Sequence, residues 1–89
     1  SSNFKQNCVI PIHDALPFVR EGRSLFCKHV DWFGSNINIG SEVVVIDNND
    51  NVIAVGKSVV SQSQLRGRIG DVAVRVREGI KSRGEQQNP

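Results

Sequence analysis

Eighty-nine residues, 38% hydrophobic and 22% charged, make one small globular domain with a modest core. Such a chain has no room for both a large catalytic cleft and a separate partner surface, which favours a binding module over an enzyme. No apolar run nears the roughly 18 residues that a membrane span needs, so no membrane partner is expected. The net charge is only +2, but it is uneven: residues 31–53 carry four acids and no base, and residues 54–83 carry seven bases against two acids. That polarity points to a polyanion met from one side, and the plainer alternative is an ordinary solvated surface.

Residues 1–6 are polar, and the apolar segment after them is short and contains Pro11. No signal peptide is therefore expected, and the chain reads as cytoplasmic. Cys8 and Cys27 are too few for a disulfide framework and read as reduced, buried thiols.

In chain order, residues 8–12 read as a short strand, and Pro11 places it at an edge or ends it. A helix of about two turns follows over 15–21, with Asp14 as N-cap, Pro17 in its first turn and Gly22 as its stop. A tight turn at Gly22, Arg23 and Ser24 leads into a second strand over 25–30. Its alternation puts Phe26, Lys28 and Val30 on one face and Leu25, Cys27 and His29 on the other. Residues 31–40 read as a loop in which Trp32 and Phe33 either cap the core or form an exposed stacking platform.

The chain is organised around the next segment. Val43, Val44, Val45 and Ile46, then Val52, Ile53, Ala54 and Val55, flank the polar cluster Asp47, Asn48, Asn49, Asp50 and Asn51. This is a β-hairpin whose loop residues bond their own backbone and tolerate left-handed conformation. Both runs are apolar throughout, so both faces must be covered, as in a small closed or half-closed barrel. Gly56 marks a bulge or a close backbone approach, and Val59 and Val60 continue the strand. Ser61 and Gln64 match a capping box that starts a short helix over 62–66. Residues 72–77 alternate cleanly, with Val72, Val74 and Val76 inward and Ala73, Arg75 and Arg77 outward. Residues 82–89 read as a polar tail. The sum is a small, β-rich α+β domain, a pseudo-barrel with two short helices.

No constellation points to catalysis. Cys27 with His29, and Cys8 with His13, have spacings that match no strong zinc pattern. There is no nucleophile elbow and no glycine-rich phosphate loop. No catalytic residue, metal ligand or cofactor is therefore assigned. Arginine forks suit phosphates and base edges, so Arg23, Lys28, Arg75 and Arg77 form one basic surface if the second and last strands meet. Arg23 also sits on a glycine turn, whose backbone N–H groups are expected to be open to phosphates. The alternative is that Arg75 and Arg77 are solvated gatekeepers of an edge strand.

Larger motifs add to this. G-R-S-L-F-C-K-H-V at 22–30, I-x-x-G-S-E-V-V-V-I-D at 37–47, V-I-A-V-G-K-S at 52–58 and G-D-V-A-V-R-V-R-E-G at 70–79 resemble the PUA domain. That family takes its name from pseudouridine synthases and archaeosine transglycosylases, and these motifs look closest to the C-terminal domain of the archaeal transglycosylases. The resemblance implies a domain over 9–81, with an extension at 1–8 and a tail at 82–89. It implies binding of tRNA or another structured RNA beside the catalytic domain of a parent enzyme, with no chemistry in the domain itself. Carried over, the RNA-facing positions are Gly22, Arg23, Ser24 and Lys28, then Arg75 and Arg77. The alternative is a protein-docking module that holds a partner enzyme without touching RNA. The acidic hairpin is expected to face away from RNA.

Overall fold

The computed structural model describes residues 5–81, so the expected tail and the first four residues lie outside it. Six strands form one sheet in the order β2-β6-β5-β4-β1-β3. They are β1 (Cys8–Pro11), β2 (Leu25–Phe26), β3 (Val30–Phe33), β4 (Glu42–Ile46), β5 (Val52–Ser58) and β6 (Val72–Gly79). One α-helix, α1 (Leu16–Arg20), lies between β1 and β2. The sheet is mixed: β1 runs parallel to β4, and every other pair is antiparallel. It curls into the nearly closed barrel that the doubly apolar hairpin predicts.

The hairpin forms as expected. Val44 pairs with Val55 and Val45 with Ala54, and the loop closes through Asp50 N–H to Asp47 O at 3.1 Å. Asp50 takes the left-handed conformation at φ 66° that the Asx cluster anticipates. Val43, Val45 and Ile53 enter the main core with Val9, Leu25, Phe33 and Val74. Cys8, Ile10 and Ile46, backed by Val44, make a smaller cluster on the other side. Each fully buried valine, leucine or isoleucine contributes about 1.5–3 kcal/mol, so these two clusters supply the main driving force.

Gly56 sits at a register shift between β5 and β6, where a Cβ would stand 2.3 Å from Arg75 O. Only glycine fits that crossing.

Several expectations are corrected. Of the two readings of Pro11, the second holds: β1 ends there, and it lies inside the sheet between β4 and β3 rather than at an edge. Asp14 is not a cap; it lies inside a 3-10 turn (His13–Ala15), and neither that turn nor α1 has a side-chain cap bond. The expected strand over 25–30 is broken by a 3-10 turn, Cys27–His29, and the expected loop at 31–40 begins with β3. This turn is a barrel corner: the chain leaves β6 and joins β1, with Trp32 opposite Ile10. β5 stops at Ser58, whose Oγ donates to Val60 O at 2.6 Å and turns the chain away from the sheet.

The capping box holds, with Ser61 N–H donating to Gln64 Oε1 at 3.1 Å. The segment it opens is not one helix but two single 3-10 turns, Gln62–Gln64 and Arg66–Arg68. Ala73 is fully buried rather than outward, because the chain beyond β5 folds over it and Val59 N–H donates to Ala73 O at 2.9 Å. No helix among the described residues is long and apolar enough to cross a membrane.

Candidate nucleic-acid interface

The turn after α1 is fixed by its own hydrogen bonds. Gly22 adopts φ 100°, its N–H donates to Val19 O at 2.9 Å, and Arg23 N–H donates to Phe18 O at 3.1 Å. This paired arrangement closes a helix C-terminus and needs a residue without a Cβ at the left-handed position. It also occupies both amides, so neither is open to a phosphate, which corrects the expectation of open backbone donors there. What the turn offers is the Arg23 side chain.

The Arg23 guanidinium lies 5.7 Å from the centroid of the Phe18 ring, a cation–π contact that holds it at the surface. Phe26 is exposed in β2 and meets His29 edge-on at 6.4 Å. Phe18, Arg23, Ser24, Phe26 and His29 rim a groove of about 300 Å³ floored by Ala15, Val19 and Leu25. An aromatic and cationic rim over an apolar floor suits a stacked base with a phosphate beside it.

β2 pairs with β6, Leu25 opposite Val74 and Phe26 opposite Val72. The second and last strands therefore meet, as the basic-surface reading requires. At its other end β6 approaches the end of α1, where a Cβ on Gly79 would stand 2.3 Å from Arg20 O and 2.5 Å from Gly22 N. On β6, Arg75 lies opposite Lys57 of β5, which lies opposite Glu42 of β4. With Val76 and Arg77 these line a second groove of about 440 Å³.

The two arginines of β6 differ. Arg77 Nη1 donates to both Glu42 carboxylate oxygens, at 2.9 and 3.2 Å. Arg75 makes no ion pair among the described residues. The acidic hairpin does not face wholly away from this strand, since Glu42 reaches across β5 to Arg77. Lys28 stands apart: it lies in the Cys27–His29 turn, its N–H bonds Ile69 O at 3.2 Å, and it lines neither groove.

Sequence reasoning missed Lys57, Phe18 and Phe26 as parts of these grooves. Lys57 was within reach, because counting outward from the hairpin loop puts it opposite Glu42. Phe18 and Phe26 carried no signal, since exposed and buried phenylalanines look alike in a sequence.

Asp47 anchors the hairpin loop. Its Oδ1 accepts from Asn49 and Asn51 N–H at 2.8 and 2.9 Å, and Arg20 Nη2 stands 3.7 Å from Oδ2. The Asn51 amide, more than any other partner, holds its carboxyl below the ordinary 3.8. Burial pushes both thiols up, and negative Asp50 near Cys8 and Asp71 near Cys27 push the same way. The thiols lie in different apolar clusters, and no group of three or more His, Cys, Asp or Glu among the described residues could hold a metal ion.

Comparison with known proteins gives this geometry a family. The model of the PUA domain matches residues 13–80. A tRNA-guanine(15) transglycosylase of Thermococcus onnurineus is 32% identical over 78 residues, covering 88% of this chain but 13% of that protein. The chain thus spans about an eighth of the length of such relatives. A conserved PUA domain protein from Thermoplasma acidophilum has a TM-score of 0.80 at 20% identity, over 93% of this chain and 55% of that chain. A chain of the archaeal box H/ACA sRNP has a TM-score of 0.76 at 22% identity, over 82% of this chain and 24% of that one. Both structures share the fold, and the family match over most of the sequence establishes that this chain belongs to the PUA-domain family.

Proposed function

We propose that the chain is an RNA-binding module, without chemistry of its own, that holds tRNA or another structured RNA for a catalytic domain of the transglycosylase type. The domain proper is residues 9–81, flanked by an extension at 1–8 and a tail at 82–89. One observation carries the reading: the β2–β6 pairing sets the Arg23 turn, with its exposed Phe18 and Phe26, beside the strand that bears Arg75 and Arg77. Family membership and the tRNA-modifying names of the relatives support the same partner. Gly22 shapes the turn, Arg23 and Ser24 rim the aromatic groove, Arg75 takes phosphate, and Lys28 and Arg77 add charge at the margins.

Contacts of this kind read phosphates, 2′-hydroxyls and unpaired bases rather than duplex sequence. An NMR titration with whole tRNA, and with tRNA trimmed of its 3′ end, tests the reading. Amide shifts over 22–28 and 72–77 are expected, and their loss with the trimmed tRNA names the contacted end. Indifference to tRNA at low salt refutes the reading in favour of a protein-docking module.

A further inference from the structure

We propose a second RNA contact outside these two grooves: Trp32 stacks an unpaired base and Arg66 takes the adjoining phosphate. The inference rests on the reading of the domain as RNA-binding and extends it to a site that the strand face does not contain.

Trp32 and Phe33 are neighbours on β3 with opposite fates. Phe33 is 4% exposed and belongs to the main core, and Trp32 is 47% exposed. An exposed tryptophan on a short strand is usually free to swing, but this one is held, because its Nε1 donates to Lys5 O at 3.4 Å. The one polar atom of the ring is thereby spent, and what remains is a flat face.

Trp32 lines a groove of about 490 Å³ together with Asp31, Phe33, Gln62, Ser63, Leu65 and Arg66. The volume lies in the range of small-ligand sites. The rim is polar and mixed in sign, which suits the donors and acceptors of a base edge. Gln62 Nε2 donates to Phe33 O at 3.4 Å, which leaves its side-chain oxygen as an acceptor at the groove. Arg66 makes no ion pair among the described residues. An aromatic platform with an unpaired arginine beside it is the arrangement that binds single-stranded nucleotides without strict sequence preference.

Continuity with the first interface strengthens the assignment. Cys27 N–H donates to Asp71 O at 2.8 Å and Lys28 N–H to Ile69 O at 3.2 Å. These bonds clip the segment just after the Arg66–Arg68 turn against the Cys27–His29 turn, and Lys28, Arg66 and Arg68 are all exposed. Lys28, which lined neither earlier groove, lies in the turn that joins β2, at the first groove, to β3, which carries Trp32.

The chain supplies its own probe, since Trp32 is its one tryptophan and it has no tyrosine. An unstructured pyrimidine pentanucleotide and whole tRNA are titrated against the 89-residue chain. Intrinsic fluorescence and acrylamide accessibility report Trp32, and anisotropy of labelled RNA reports affinity. Saturable quenching with protection from acrylamide is expected for both RNAs. Trp32→Leu should weaken the pentanucleotide about tenfold, and Arg66→Ala should weaken it several-fold and reduce its salt slope by about 1.

Unchanged fluorescence while tRNA binds, with parental affinity in both variants, overturns the inference and leaves the strand-face reading standing. Loss of affinity in Trp32→Leu and Arg66→Ala, with parental affinity in Arg23→Ala and Arg75→Ala, does the reverse. Binding of neither RNA overturns both. Should Trp32→Leu fail to fold, the exposed Arg66→Ala variant and the quenching of the parent protein decide the matter.

Discussion

Gly79→Ala is the sharpest test of how the fold builds the interface. A Cβ at Gly79 would stand 2.3 Å from Arg20 O, 2.5 Å from Gly22 N and 2.7 Å from Arg20 C, all backbone atoms. A flexible side chain would swing aside, but a helix terminus locked by two hydrogen bonds cannot. Gly79 is not at positive φ, so the alanine backbone itself is unstrained and the clash acts alone. Inserting one carbon into packed structure costs about 1–3 kcal/mol, and an all-backbone clash belongs at the upper end, about 2–3 kcal/mol.

Unfolding entropy of about 2.1 cal/mol/K per residue makes ~0.19 kcal/mol/K over 89 residues. The melting temperature should therefore fall by about 10–15 °C, read by circular dichroism. The same variant should weaken tRNA binding, since relief comes by moving the Arg23 turn away from β6. Gly67→Ala is the control, because a Cβ there meets nothing within 4 Å. It should be neutral or stabilising by up to about 1 kcal/mol. Equal melting temperatures for the two variants would refute the close approach and with it the rigid coupling of α1 to β6.

Arg75 and Arg77 should separate in the binding assay. Arg75→Ala should weaken tRNA binding more than Arg77→Ala, and Glu42→Gln should strengthen it by releasing Arg77 from its ion pair. Equal losses from the two arginines, with no gain from Glu42→Gln, would show that the ion pair does not shape the site. None of the three should move stability much, because an exposed pair of this kind contributes about 0–1 kcal/mol. Asp47 makes stability pH-dependent. Its folded carboxyl titrates below the ordinary 3.8, so its contribution is complete above that value and is lost as pH falls through the folded one. Urea unfolding at a series of pH values should show parent and Asp47→Asn converging as pH drops below about 4. A constant gap would remove Asp47 from the acid response.

Local chemistry made the hairpin and β6 legible. β-branched runs broken by an Asx cluster leave little choice of structure, and the alternation of 74–77 survives in the burial of Val74 against the exposure of Arg75 and Arg77. The corner at Cys27–His29 was not legible, because Leu25 to Val30 is as strand-like there as anywhere. What bends it is the choice of partner, β6 before the corner and β1 after it, and that choice is made by distant residues. Ala73 misled for a similar reason, since the segment that buries it comes from beyond the end of β5. Of the site, charge found Arg23, Arg75 and Arg77, and the aromatic surroundings emerged only with the strand order. Trp32 and Phe33 stand in the sequence as one pair with two possible roles, and the strand that carries them buries Phe33 in the core and exposes Trp32.

The place of β1 has a consequence for how the molecule comes together. The first strand lies between β4 and β3, and its parallel partner β4 lies at the middle of the described chain. Hairpin contacts such as Val45 with Ala54 span short loops and form early, while Cys8 with Val44 and Leu25 with Val74 close long ones. High contact order of this kind slows folding. Until β1 inserts, β4 and β3 present bare edges to neighbouring chains. The first strand is thus a late stave of the barrel, and the interval before it seats exposes this domain to misassembly.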